Sequence, residues 1–421
     1  MEYGKIQKRG AFKMKKTLFI LIVLIVVTFV LFSQQVDQHA VTVMNVEVAV
    51  RVLDGNEFVD DLTMNDFELY EDGVLQRLEA MYLVKKTSIA REEARTKFYP
   101  SLTRHYYLLF QITDYNPRLE EAVDHFINTI IQPGDTLDIW TPVQKYSLSS
   151  KALESLSKEQ IASEMKKIIR KDTQVGASYY RELMRDLKML VRAISSATGE
   201  QSPTMTDVES DSTSSMFGLD FLLPRYRETM SKMEGLRIFD QRNLIGFANA
   251  LKEQQGENFV FYFYQREYRP EISPSLLNKM QSVYQDDPNI MSQLQTAFDF
   301  YHRGITFEAE KIRQAFADSS ILFNFIFMDK APENISGVHM REQSEDIFRA
   351  FSEAAEATGG IVDTSQNPGI GFKNVLNRSD YYYLLYYSPQ NYVQDGAFKT
   401  IEVKVKNKDY KLTHRKGYFA F

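Results

Sequence analysis

Val46, Val48, Val50 and Val52 alternate with Asn45, Glu47, Ala49 and Arg51. A period of two with one polar face predicts a half-buried strand. Phe67 and Leu69 open a second strand, Asp72-Gly73 marks a hairpin turn because glycine accepts positive φ, and residues 74–84 return. Residues 36–85 are therefore expected to form an N-terminal β unit. The charged, patternless residues 86–104 are expected to be a linker.

Residues 106–112 are a continuous apolar run, the pattern of a strand buried on both faces. Leu119, Ala122, Val123, Phe126, Ile127, Ile130 and Ile131 follow at spacings of three and four, one face of a helix. Asn116 suits its cap and Pro117 its first turn. Pro133-Gly134 ends it, and residues 135–141 read as a second strand, completing a βαβ unit with parallel strands. Helical patterns recur at 156–169 and 178–197 and around Leu244, Phe247, Ala248 and Leu251. Further core strands are expected at 259–264 and 321–328. Ile347, Phe348, Phe351, Ala354, Ala355 and Thr358 mark a helix stopped by Gly359-Gly360, with a short strand at Ile361-Val362. Residues 199–219, rich in Ser, Thr, Asp and Met, read as a flexible insertion, and 271–303 as a helical one.

The end of the chain returns to β pattern. Residues 381–387 are β-prone, Ile401, Val403 and Val405 alternate with charged residues, and Tyr410 and Leu412 begin a last strand. A lone hairpin is marginal in water. The segment 366–421 is therefore expected to pair with 36–85, joining the Val46–Val52 face to the Ile401–Val405 face.

Length and charge narrow the class. The 421 residues allow two or three domains, and 44% hydrophobic content supplies a large core. A net charge of −6 argues against nucleic acid as a main partner. With no cysteine, disulfides and thiolate chemistry are excluded. Lys13, Lys15 and Lys16 precede the apolar residues 18–32, so residues 1–35 read as a signal peptide or, if uncleaved, a membrane anchor. Met14 before Lys15-Lys16 is the more natural start. The expected location is exported: periplasmic, envelope-associated or secreted.

The stretch Leu62-Thr63-Met64-Asn65-Asp66-Phe67-Glu68-Leu69-Tyr70-Glu71-Asp72-Gly73 and the run Thr413-His414-Arg415-Lys416-Gly417-Tyr418 resemble the signature ends of a bacterial family. That family comprises exported proteins related to the von Willebrand factor A domain, first recognised in Acidobacteria. The turn Pro133-Gly134-Asp135 and segments 354–360 and 383–418 add to the resemblance. It implies an α/β fold class: a doubly wound, mostly parallel von Willebrand factor A-like sheet over 105–365, interrupted at 199–219 and 271–303, beside a small β module from the two chain ends. It also implies a ligand site at the carboxyl ends of the strands.

Metal-binding members carry an Asp-x-Ser-x-Ser motif after the first strand, a Thr in a later loop and an Asp after the central strand. Here the motif falls on Gln111-Ile112-Thr113-Asp114-Tyr115, the loop position on Ser178, and the last on Gln265, followed by Arg266, Glu267 and Tyr268. Hard cations need anionic oxygens, and neutral Gln111 and Gln265 beside Arg266 offer none. The expectation is a degenerate site holding no metal or other cofactor; a weak site using Asp114 and Glu267 is the alternative.

Other chemistry is sparse. The six histidines lack the paired spacing of a zinc helix, and there is no nucleophile elbow or phosphate loop. Asp124-His125 falls on the polar side of its helix, and Glu120-Glu121 suits first-turn dipole compensation. The segment 264–269 combines Tyr and Arg after a core strand, which suits either an interface anchor or ordinary aromatic packing. The expected function is a non-enzymatic, metal-independent protein-binding module of the cell envelope. The alternatives are a scaffold docking through its insertions and an enzyme of unrecognised type.

Overall fold

The computed structural model describes residues 44–421 except 56, 198–217, 237–240, 302–307, 336–337, 366, 391 and 407–408. Residues 1–35, expected as a targeting segment, and nearly all of the expected 199–219 insertion lie outside the described residues. The N-terminal part supplies β1 (Val46–Asp54), β2 (Glu57–Phe58), β3 (Phe67–Glu71), β4 (Val74–Gln76), β5 (Leu78–Lys85) and β6 (Ser88–Ala94). The middle supplies β7 (Arg104–Gln111), β8 (Thr136–Trp140), β9 (Lys145–Leu148), β10 (Glu257–Gln265), β11 (Tyr268–Ile272), β12 (Ile321–Met328), β13 (Val338–Glu342) and β14 (Val362–Asp363). The end supplies β15 (Tyr381–Tyr387), β16 (Phe398–Val405), β17 (Lys411–His414) and β18 (Gly417–Phe419).

The strand pairing corrects the expected fold class, a doubly wound, mostly parallel von Willebrand factor A-like sheet. The chain is a mixed α/β protein in which antiparallel pairing predominates. The sheet β17-β1-β15-β5-β6 curls into an antiparallel half-barrel, and the sheets β18-β16-β3-β4 and β11-β13 are antiparallel as well. The sheet β14-β12-β10-β7-β8-β9 is itself mixed: β9 turns back antiparallel to β8, while its other neighbours pair in parallel. The physical reason is connection length. A parallel return needs a long crossover, whereas the turn closed by Thr141 and Gln144 permits only a hairpin. In the end segments short links join only β1 to β2, β3 to β4 and β5 to β6; β1–β15, β1–β17, β5–β15 and β3–β16 are antiparallel pairs between the two ends of the chain.

In the mixed sheet, successive side chains go to opposite faces. Tyr106, Leu108, Phe110, Phe259, Phe261 and Phe263 pack with Leu119, Phe126, Ile127 and Met165, on helix Arg118–His125, the π turn that follows it and helix Lys158–Gly176. Tyr107, Leu109, Val260, Tyr262 and Tyr264 pack with Ala248, Phe316 and Phe351, on helices Gln241–Lys252, Ala309–Asp318 and Glu345–Thr358. Burial on both faces explains why β10 and β12 read as unbroken apolar runs. Each fully buried Phe contributes roughly 1.5–3 kcal/mol. Residues 271–303 end β11 and then form helices Pro274–Val283 and Pro288–Tyr301. Leu276, Leu277 and Leu294 share a separate apolar cluster with Leu187, Ile194 and Tyr226.

The chain ends do pair, though not through the expected faces. β1 lies between β15 and β17, with Val46 opposite Tyr387 and Val50 opposite both Tyr383 and His414. β16 instead pairs with β3 in the other sheet, Val405 opposite Phe67. Strand β15 is almost wholly buried and so takes a central place; the charged alternate residues of β16 suit a half-exposed strand. Residues 74–84 split at Arg77 into β4 and β5, which join different sheets. The expected linker contains β6, paired with β5. Its side chains are mostly exposed and charged, as suits an edge strand, which is why no apolar pattern marked it.

The two signature motifs are joints of this terminal module. Asp66 accepts the Thr63 N–H and hydroxyl, each at 2.7 Å. Asp72 and Gly73 both have positive φ, and Asp72 Oδ1 accepts Thr400 N–H at 2.8 Å. Glu71 accepts the hydroxyls of Tyr387 at 2.6 Å and Tyr418 at 3.0 Å, tying the first motif to the last. Gly359 has φ +76°, and a Cβ there would lie 2.7 Å from His414 N, so the turn after the helix accepts only glycine beside β17.

Candidate functional site

The carboxyl ends of β7, β10 and β12 converge on one face. The last residues of β10 and β12 are Gln265 and Met328, paired in register. The loop after β7 carries Thr113, Asp114 and Tyr115. Gln265 is buried, and its Oε1 accepts three hydrogen bonds: Thr113 N–H at 3.0 Å, Thr113 Oγ1–H at 3.0 Å and Asp114 N–H at 2.9 Å. One neutral carbonyl oxygen thereby fastens the first loop to the central strand.

Asp114 forms an ion pair with Lys330, two residues beyond the end of β12. Its carboxylate, the one anionic group in the matched motif, is therefore engaged by an ammonium. Arg181 donates to Thr113 O at 3.2 Å and also to Gln174 O. Arg266 lies 3.3 Å from Asp329 and 3.5 Å from Glu342, with Phe327 under its guanidinium at 5.4 Å. A side-chain hydrogen bond with Tyr268, then Glu342 and Asp329, push its pKa further up. Tyr115 donates to Glu120 at 3.0 Å; burial first and Glu120 second push its phenol pKa upward, so it stays a neutral donor.

The remaining matched positions disperse. Gln111 is exposed at the end of β7. Ser178 turns its hydroxyl back to Val175 O at 2.7 Å, as a local helix-start contact. Glu267 N–H donates to Ser344 Oγ at 3.4 Å, and Tyr268 leaves along β11, where its carbonyl accepts from Tyr180. The Asp114 carboxylate is thus paired with Lys330, while Glu267 is fixed through its backbone N–H. Among the described residues no three His, Asp or Glu side chains are grouped to hold a metal ion. The donor set does not fit Mg²⁺: it offers one carboxylate, already paired, with cations around it.

The sequence reading missed Lys330 and Arg181. Lys330 had a usable signal, since it follows a core strand at the end where a site is expected. Arg181 had none, because only the fold brings the start of helix Ser178–Ala197 to Thr113. It also missed an apolar patch beside this face. Val143, Val175 and Tyr179 are 46%, 52% and 47% exposed. They surround the close approach of Gly176 to Pro142, where a Cβ on Gly176 would lie 2.5 Å from the proline.

Asp124, Asn116, Pro117 and the β-prone run 381–387 take structural roles. Lys166 donates to Asp124 at 2.8 Å. Pro117 occupies the cap position of helix Arg118–His125, and Asn116 Oδ1 accepts Arg118 N–H at 3.0 Å. Tyr382 and Tyr383 are buried in the terminal module. No described helix is long and apolar enough to cross a membrane. No protein-family model matches the chain, and no curated protein matches it.

Proposed function

We propose that this chain is a non-enzymatic module of the bacterial cell envelope that binds a protein partner through the strand-end face without a metal. The observation that carries the reading is Gln265 Oε1 gathering Thr113 and Asp114 while Lys330 engages the Asp114 carboxylate. A metal-dependent face leaves its loops to be organised by the ion and the partner's carboxylate. Here the protein's own side chains organise them. The exposed Tyr179, with Val143 and Val175 beside Arg181, supplies the aromatic, apolar and guanidinium groups that anchor interfaces. Export is supported by the basic, then apolar, N-terminal sequence, and by the resemblance of the two end motifs to an exported family.

A photo-activated cross-linker placed at Tyr179 in intact cells tests the reading. A discrete adduct is expected at Tyr179 and not at Lys404 in the terminal module, with equal yield in EDTA and in millimolar Mg²⁺. No adduct at Tyr179, or one that needs Mg²⁺, would remove the proposal. Recovery of the chain in the cytoplasmic fraction would remove the envelope assignment.

A further inference from the structure

A second site is built at the opposite end of the mixed sheet, where β1 and β17 meet the Gly359–Gly360 turn. A cleft of about 450 Å³ opens there, within the range of small-ligand pockets. Arg51, Arg378, Lys411 and Lys416 line it; Glu356 is the sole carboxylate among its lining residues. His414, also in the lining, is neutral: its Nδ1 donates to Arg415 O at 2.8 Å, and its Nε2 accepts Val403 N–H at 3.3 Å. Two helices, Glu345–Thr358 and Pro368–Ser379, end beside the cleft. Their carboxyl termini account for Arg378 and Lys416 through the helix dipole.

Arg51 is different: Glu257 and then Asp380 lie near enough to balance its charge, yet the Nε–Nη2 edge of its fork is not hydrogen-bonded. It is 4% exposed, and its Nε and Nη2 have no hydrogen-bond partner. These two nitrogens form one edge of the guanidinium fork, the geometry that grips an oxyanion with two parallel bonds. Among the described residues the protein uses that same edge at Arg104, at Arg269 and, toward both oxygens of Glu310, at Arg313. Arg104 holds Asp135 through Nε at 3.0 Å and Nη2 at 2.7 Å. Arg269 holds Glu271 through Nε at 3.0 Å and Nη2 at 2.5 Å. On Arg51 the edge is buried and unbonded, while the guanidinium stacks over Tyr382 at 5.2 Å. A buried charged fork left unbonded is costly.

We propose that this cleft binds a small ligand bearing a carboxylate or phosphate group, gripped at both oxygens by the Nε–Nη2 edge of Arg51 with Lys411 at the rim. Titration calorimetry on the full chain, with inorganic phosphate and citrate as separate probes, tests this and distinguishes the two oxyanion chemistries. Saturable binding of at least one probe is expected below about 10 mM. Arg51→Lys, which keeps the charge and loses the fork, should weaken it about tenfold. Lys411→Glu, at an exposed position that leaves packing intact, should weaken it severalfold and decides the question if the Arg51 variant does not fold. Lys167→Glu, on helix Lys158–Gly176 beside Lys166, Arg170 and Lys171 and away from this cleft, should change nothing. No saturable binding of either probe, unchanged affinity in Lys411→Glu, or loss in Lys167→Glu alone would overturn the proposal.

Discussion

Gln265 and Thr113 are joined twice through a single oxygen: Gln265 Oε1 accepts both the backbone N–H and the hydroxyl of Thr113, each at 3.0 Å. With Asp114 N–H as a third donor, this oxygen carries the contact between the β7 loop and β10. Gln265→Met keeps the length of the side chain and removes the acceptor. Three donors then lose their partner in a partly buried setting, so a loss of roughly 2–4 kcal/mol is expected. Urea unfolding with an unchanged m-value measures it. A loss under about 0.5 kcal/mol would mean that water satisfies the loop as well as Gln265 does.

The same geometry bears on metals. Asp114 is engaged by Lys330, and the neighbouring guanidinium groups of Arg181 and Arg266 add positive charge. A divalent ion would have to displace an ammonium from the only carboxylate of the motif. Millimolar Mg²⁺, Mn²⁺ or Ca²⁺ should therefore leave the melting temperature within about 1 °C, since only an ion that binds the folded state raises it. A larger rise that vanishes in Asp114→Ala would contradict this.

How far the sequence could be read follows from which forces write themselves into local pattern. Strands β7, β10 and β12 were legible because burial on both faces leaves unbroken apolar runs. The edge strand β6 was not, because its exposed side chains carry charges that resemble a linker. The pairing of the chain ends followed from the marginal stability of lone hairpins. The partners did not, because Tyr383 and Tyr387 claim the centre of the half-barrel through hydroxyl contacts to Val59 and Glu71, long-range bonds with no sequence signature. The resemblance led to the wrong sheet class, yet it pointed to the strand ends where Gln265 and Asp114 meet. Arg181 stayed hidden because only the fold brings it to Thr113, whereas Lys330 was signalled by its place just after a core strand.

His414 gives the molecule an acid sensitivity with a defined sign. Burial, then the neighbouring Lys416, pushes its pKa from 6.5 down to about 4. The folded state thus favours the neutral ring, which accepts Val403 N–H at Nε2. Its contribution is fully present above pH 6.5 and is lost as pH falls toward 4, by up to about 3 kcal/mol. Glu257 titrates the other way: burial pushes its pKa up to about 7, so acid favours its folded form. The comparison must therefore be between variants. His414→Met should be less stable than the parent at pH 7.5, yet should lose less stability between pH 7.5 and 4.5. Parallel pH profiles for the two proteins would show that His414 does not titrate in this way.

The terminal pairing also makes the tail part of the fold in a position-specific manner. Ending the chain at residue 396 removes β16, β17 and β18. β3 then loses β16, its partner along Phe67–Glu71, and keeps only the short β4. β1 loses β17 opposite Val50, Arg51, Val52 and Leu53, but retains β15 opposite residues 46–50. The Gly359 turn loses the strand it packs against, and Lys416 N–H no longer reaches Ala357 O. A strand left with one short neighbour cannot hold its apolar face from water. Hydrogen exchange should therefore show protection lost across 67–71 and at 51–53, while amides of 46–49 that bond to β15 retain more of theirs. The truncated chain should also associate, because Val52 and Leu69 become accessible. Full-length protection across 67–71 in that chain would mean that β16 is not what holds β3 in place.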